Sequence, residues 1–295
     1  MSKSTISAYE FLKLFPDENS ARRRIESIRW PDGPVCPECG SALAIGLQTR
    51  KGIGGYYRCN ACHTTFTVRT GTIFERSHIP LDKWLYAMYL LATSRKGVSS
   101  MQLSKELGLT QKTAWFLLHR LREACGHDKD DRQGGGMPDG LLSGIVEAYE
   151  AYIGGKESNK HESDRLKMGR GPIGKMPILG MRERKGKPRA IALDGTEKAC
   201  IQGAVKEAVA DGATLITDEH AAYVGMDRYV HYSVNHSAKQ YVDGMAHTNG
   251  IESVWTLLKR GYYGVYHSFT KKHLQRYLNE LMYRLSAGRC EVSEI

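Results

Sequence analysis

Residues 177–218 read PILGMRERKGKPRAIALDGTEKACIQGAVKEAVADGATLITD, and the order of patterns in them decides the fold. Residues 177–184 and 188–193 are strand-like and flank the turn-forming Lys185-Gly186-Lys187, which predicts a hairpin. Residues 198–210 have helical spacing, with Thr196 as the expected N-cap. A short strand over 214–217 then ends in Asp218. Outward from this stretch, 141–153 and 229–234 predict further strands, and 248–261 and 270–286 predict two closing helices. Strands, a helix, a strand and more helices in that order predict an α/β (α+β) fold, a mixed sheet with flanking helices.

Further upstream, residues 126–140 read GHDKDDRQGGGMPDG. Charges and three consecutive glycines predict a flexible linker there. Before it, an amphipathic segment over 100–107 ends at Gly108, and a second begins at Thr110 with Ala114, Leu117, Leu118 and Leu121 at helical spacing. This predicts a helix-turn-helix within 79–125 that presents Gln111, Lys112, Thr113 and Trp115 at the start of a recognition helix. A helical hairpin without a DNA role has the same shape, so the context has to decide.

That context is the head, residues 1–72. Cys36 and Cys39 form one CxxC pair and Cys59 and Cys62 another, with nineteen residues between the pairs, the spacing of four-cysteine zinc sites. Two intervening residues let both thiolates of a pair face one tetrahedral ion, and Gly40 lets the backbone fold over it. One structural zinc ion per chain is therefore expected. Residues 56–58 and 65–68 alternate as small strands do, so the unit reads as a zinc ribbon with an N-terminal helix. The remaining Cys125, Cys200 and Cys290 are expected to be free thiols in a reducing compartment.

A length of 295 residues suits two or three domains, here 1–72, 79–125 and 141–295 with the 126–140 linker. The 42 Lys and Arg against 32 Asp and Glu leave a net charge of +10, which favours a polyanionic partner. Eleven basic against four acidic residues fall between Lys156 and Arg189, a net of +7 that predicts a phosphate-contacting surface. Lys156 and Lys160 in this stretch, with Lys259 and Arg260 further on, are its candidate contacts. Arg22, Arg23, Arg24, Arg50 and Arg58 of the head are weaker candidates, since exposed Arg is most often simply solvated. The segment GRGPIGK, 169–175, imitates a P-loop but has Pro172 inside it and Met176 at the Ser/Thr position, so nucleotide binding is not expected. The longest apolar run, 84–92, is nine residues, short of the roughly 20 that span a bilayer. Residues 1–20 have no apolar signal core, so a cytoplasmic protein is expected.

Acidic residues complete the reading. Asp218 ends a strand, and Glu252 lies 34 residues later on a predicted helix with Asn249 one turn before it. Carboxylates at a strand end and on a helix can hold two divalent ions for phosphoryl transfer. Spacing alone does not single these acids out among 32.

At this point the chain resembles the bacterial insertion-sequence transposases that join a zinc ribbon, a helix-turn-helix and an ISXO-like DDE domain. The likeness runs along nearly the whole chain. It rests on FPDENSARRRIESIRWPDGPVCPECGS, TGTIFERSHIPLDKWLYAMYLLATSRKGVS, YIGGKESNKH, TDEHAAY, NHSAKQYVDGMAHTNGIESVWTLLKRG and HLQRYLNELMYR. It implies a ribonuclease-H-like fold, catalytic Mg²⁺ or Mn²⁺, and DNA cleavage and strand transfer at the ends of a mobile element. The implied partners are double-stranded DNA, as terminal repeats and as target, and further copies of the chain, on the bacterial nucleoid and without a membrane. Asp218 takes the second catalytic carboxylate and Glu252 the third, with Asn249 as the competing candidate.

The first carboxylate precedes E-x-Y-I-G-G in the family, and here that position is Tyr149 in VEAYEAYIGG. A phenol of pKa about 10 is a poor replacement for an aspartate ligand. Glu150 points to the other face of a strand, and Glu147 is on the right face but about 6.6–6.8 Å away unless the strand bulges. Impaired strand transfer is expected, in a degenerate element sooner than in a repurposed protein. The alternatives are a non-catalytic DNA-binding protein of the same descent and, least favoured, a host nuclease.

Overall fold

The computed structural model describes residues 6–48, 54–126, 140–155, 157–166, 173–184, 186–218, 220–234 and 247–287. They fall into two units, one holding the residues up to Thr93 with Ser100–Leu121, the other Ser94–Ser99 with those from Arg122 onward. The expected linker, the 169–172 stretch, Arg50, Lys156 and Cys290 lie outside the described residues, apart from the linker's end residues Gly126 and Gly140.

In the first unit, α1 (Ala8–Leu14) and α2 (Glu18–Arg29) each open on a side-chain cap, Ser7 and Asp17, whose oxygens accept backbone N–H groups that a helix start leaves unpaired. A three-stranded antiparallel sheet follows: β1 (Ala44–Leu47), β2 (Tyr56–Cys59) and β3 (Thr65–Thr67). Trp30, just past α2, packs edge-on against Tyr57 and Phe66 of this sheet, with ring centroids 5.4 and 5.7 Å away. The sequence pattern pointed to β2 and β3 only; β1, four residues with a glycine in the middle, has too little alternation to be seen. Next come α3 (Leu81–Thr93), α4 (Ser100–Leu107) and α5 (Gln111–Ala124). Gly108, at φ +60, makes the sharp turn from α4 to α5 that a side chain would strain. Leu103, Ala114, Leu117, Leu118 and Leu121 are buried, as the helix-turn-helix spacing requires.

The second unit is a five-stranded sheet in the order β6-β5-β4-β7-β8. Its strands are β4 (Ile145–Ile153), β5 (Met176–Glu183), β6 (Pro188–Ala192), β7 (Thr214–Asp218) and β8 (Val230–Val234). β4, β5 and β6 form an antiparallel meander, while β7 and β8 add parallel to β4 on the other side. This is the ribonuclease-H-like arrangement. The helix α6 (Lys198–Ala208) covers one face, where Ile201 and Val205 join Val146, Ala148, Leu179, Met181 and Leu215. The helices α7 (Asn249–Gly261) and α8 (Leu274–Ala287) cover the other, where Ile251, Trp255 and Leu278 join Ala151, Ile153 and Ile178. Gly180 lets α7 approach closely, because a Cβ there would stand 2.2 Å from the Trp255 ring.

Two local expectations are corrected. Thr196 is not the cap of α6: Glu197 occupies that place and makes no side-chain cap hydrogen bond. The first strand starts at Ile145 and not at residue 141, because Gly144 turns the chain at φ +63 and Leu142 instead bridges Val209 beyond α6. Among the described residues no helix is long and apolar enough to cross a membrane.

One buried ion pair stands out in this unit. The Arg122 guanidinium donates to Glu280 at 2.6 Å, with the two side chains 2% and 1% exposed. Tyr266 donates to the other oxygen of Glu280, and the Tyr277 ring lies 4.1 Å from the guanidinium. Burial, the largest single influence, lowers the pKa of Arg122, but the charge and hydrogen bond of Glu280 together with Tyr266 and Tyr277 outweigh it and the net shift is upward. Removing one partner of such a pair strands a charge in the interior, which costs about 3–5 kcal/mol. Glu280→Ala should therefore lower unfolding stability in denaturant by that amount, whereas replacing both Glu280 and Arg122 by leucine should recover only part of the loss, because Arg284 and Tyr266 also lose Glu280.

Candidate functional site

The ribbon brings its four cysteines together, Cys36 and Cys59 buried, Cys39 and Cys62 exposed, with all four sulfurs within 4.8 Å of one another. Cys36 and Cys62 are 3.6 Å apart at Sγ, as are Cys39 and Cys59. A tetrahedral ion with Zn–S bonds of about 2.3 Å needs sulfurs about 3.8 Å apart, so the donor set fits zinc. Each pair sits on the same turn: the N–H of Gly40 donates to Cys36 O and that of His63 to Cys59 O, and both residues have left-handed φ, +71 and +62. Gly40 was legible in the sequence for this role. His63 was not, since a non-glycine residue seldom adopts that conformation.

The protonation of the cluster suits a metal. The Thr64 hydroxyl and N–H lower the Cys62 thiol to about 6, and the N–H groups of Cys62 and Ala61 lower Cys59. The N–H of Ser41 also favours the Cys39 thiolate, but the neighbouring sulfurs Cys62, Cys59 and Cys36 push that thiol up to about 12. Without metal the cluster retains a proton that a cation displaces.

The second site lies on β4. The parallel register pairs Glu147 with Ile216, and continued by two residues it sets Tyr149 abreast of Asp218 at the end of β7. Asp218 accepts the N–H of His220 at 3.1 Å, which turns the chain away from the strand end. On the first turn of α7, Glu252 accepts a hydrogen bond from Thr248 Oγ1 at 2.8 Å. Burial first, then the charges of Asp218, Glu252 and Glu150, raise the Tyr149 phenol above its ordinary pKa. Tyr149, Asp218 and Glu252 thus converge, while Asn249 is exposed at the head of α7.

Both neighbouring carboxylates on β4 have other partners. Glu147 is 2% exposed, accepts the N–H of Ile251 at 3.0 Å at the start of α7, and lies 3.4 Å from His247 Nδ1 and 3.9 Å from Arg184 Nε. A Cβ on Gly250 would meet its carboxylate at 2.5 Å, so glycine at that position is what lets Glu147 reach the helix. Glu150 lies on the opposite face, where Tyr223 donates to it. Burial raises its pKa, the Tyr223 hydroxyl partly offsets that, and Asp218 raises it further. The register from Val146 to Ile153 against β5 is unbroken, so no bulge re-aims either acid. The donors around Tyr149 are thus two carboxylates and a phenol, and this set does not fit a pair of hard divalent ions. Among the described residues the four cysteines are the one cluster of three or more metal-capable His, Cys, Asp or Glu.

The expected DNA contacts are scattered. Lys160 pairs with Glu157 at 2.5 Å, and Lys259 and Arg260 are exposed on the last turn of α7. Gln111 and Lys112 are exposed at the start of α5 and Thr113 is half-buried. Arg22 of the head pairs with Glu26 at 3.0 Å.

Residues 141–286 match the ISXO2-like transposase domain, and residues 16–65 match the transposase zinc-ribbon domain. The chain is 27% identical over 290 residues, 94% of each chain, to a Halobacterium salinarum protein named as an uncharacterized protein in transposable element ISH50. Among solved structures it matches one titled as a pre-cleavage Mos1 transpososome, at 13% identity over 72% of this chain and 78% of that one, with a TM-score of 0.20. With both domains present, in order, over a ribonuclease-H-like sheet and a four-cysteine ribbon, the chain belongs to the insertion-sequence transposases of the zinc-ribbon, ISXO2-like type.

Proposed function

We propose that this transposase binds the ends of its insertion sequence as double-stranded DNA but is impaired in cutting and joining them. The observation that carries the reading is Tyr149, a half-buried phenol on the central strand that feels the charges of Asp218 and Glu252. In this reading Asp218 and Glu252 are the two surviving catalytic carboxylates. Glu252 is favoured over Asn249 because its charge acts on Tyr149 from the inward side of α7, whereas Asn249 is exposed.

The phenol offers no substitute chemistry. Burial and three acidic neighbours hold its proton on at neutral pH, so it is neither an anionic ligand nor a phenolate that attacks a phosphodiester. Glu147 and Glu150 are committed to α7 and Tyr223. In this reading recognition survives the lesion, because it rests on the ribbon, the helix-turn-helix and Lys160, Lys259 and Arg260, none of which is among the groups acting on Tyr149. The second reading, a purely DNA-binding descendant of a transposase, rests on the same tyrosine. Zinc in the ribbon is structural, since all four ligand positions are filled by cysteine and none is left open.

Cys59→Ser should lose its zinc in metal analysis and unfold the ribbon while the sheet domain keeps its own unfolding transition. Full zinc occupancy in that variant would contradict the ligand set. Tyr149→Asp should gain Mg²⁺- or Mn²⁺-dependent cleavage of duplexes carrying the element ends, and adding Asp218→Ala should abolish the gain. Efficient cleavage by the unmodified chain would overturn the proposed impairment. A Tyr149→Asp chain that binds the ends yet stays inert would favour the purely DNA-binding reading.

A further inference from the structure

We infer that Phe116 reads the 5-methyl group of thymine in the major groove of the DNA that this chain binds. The inference rests on the DNA-end reading above and adds a specificity-determining contact to it. On α5 the residues Ala114, Leu117 and Leu118 point into the helical core, and Gln111, Lys112, Phe116 and Arg120 are exposed. Three polar side chains near this face are turned back onto the protein. Gln111 donates to Ser100 Oγ at 2.9 Å, Thr113 shares a 2.8 Å hydrogen bond with Thr110, and Arg120 donates to the carbonyl oxygens of Ile73 and Glu75. Lys112 and Phe116 stand four residues apart on one outward stripe.

Phe116 is 54% exposed, a large apolar ring kept in water on α5, the second helix of the motif. The ring is braced as well as exposed: Trp115 meets it edge-on at 5.2 Å and itself packs on His119 at 4.0 Å. The charge around it selects a nucleic acid as occupant. The first turns of α4 and α5 contain no acidic residue, Lys112 lies on the same stripe as the ring, and the helix starts there supply positive dipole ends. An α-helix fits the major groove of B-DNA, whose floor carries one apolar group, the thymine methyl, and aromatic side chains pack against it. RNA lacks that methyl and closes its major groove to a helix, so the contact selects DNA.

The test uses the full chain and duplexes carrying the inverted repeats that flank its gene, with each thymine replaced in turn by deoxyuridine and Kd measured at one fixed salt concentration. At one or two positions per end the unmodified chain should bind the deoxyuridine duplex about fourfold more weakly, the value of one buried methyl. Phe116→Ala should bind the thymine and deoxyuridine forms of those positions equally, and Phe116→Leu should keep part of the difference. The ring is exposed, so neither variant disturbs the core. Indifference of the unmodified chain to every replacement overturns the inference while leaving end binding intact, as does methyl discrimination that persists in Phe116→Ala. If Phe116→Ala instead abolishes self-association without changing discrimination, the ring serves a protein contact and the inference fails. Binding of the end duplexes no tighter than an unrelated duplex overturns the DNA-end reading and this inference with it.

Discussion

The second unit depends on one constraint, that β4 is bonded along both edges and covered on both faces. β5 pairs with it antiparallel and β7 parallel, so its alternation of side chains has no freedom to slip: a one-residue shift would exchange the two faces wholesale. Even-numbered residues Val146, Ala148 and Glu150 go to the α6 face, and Glu147, Tyr149, Ala151 and Ile153 go to the α7 and α8 face. The different surroundings of Glu147 and Glu150 follow from this division. Glu150 cannot act for Tyr149 because it is next to it in sequence and therefore opposite to it in the sheet.

Glu147 fails for a different reason. It is on the correct face, yet it satisfies a backbone N–H at the start of α7 and is buried in doing so. Helix starts leave N–H groups unpaired, and a carboxylate there is also favoured by the helix dipole. Arg182 adds a hydrogen bond from β5 to Gly250 O on the same first turn. The residues that hold α7 in place are thus distinct from the one that α7 presents to Tyr149, namely Glu252.

The first unit is built on other principles. Its ribbon has a small aromatic cluster of Trp30, Tyr57 and Phe66 and four cysteines in place of a large core, and a zinc ion on those cysteines would add to its stability. Its helices instead bury leucines at regular spacing and keep Lys112 and Phe116 exposed on their outward side.

The amino-acid sequence by itself determined what depends on local spacing. CxxC pairs identify the metal ligands because two residues are the span of one knuckle, helical periodicity exposes α4 and α5, and the order of strands and helices implies a mixed sheet. The anomaly at Tyr149 was legible too, once the chain was compared with its family's pattern. Tertiary structure decided what depends on residues distant in the chain. Only the parallel register of β4 and β7 sets Tyr149 beside Asp218, only the fold of α7 leaves Asn249 exposed while the charge of Glu252 acts on Tyr149, and only the contact with Ile251 reveals what Glu147 does. Gln111 and Thr113 likewise look outward on a helical wheel, but their hydrogen bonds to Ser100 and Thr110 bring them back and leave Phe116 projecting. Spacing along a chain assigns a residue to a face; which neighbour that face meets is set by elements folded against it from elsewhere.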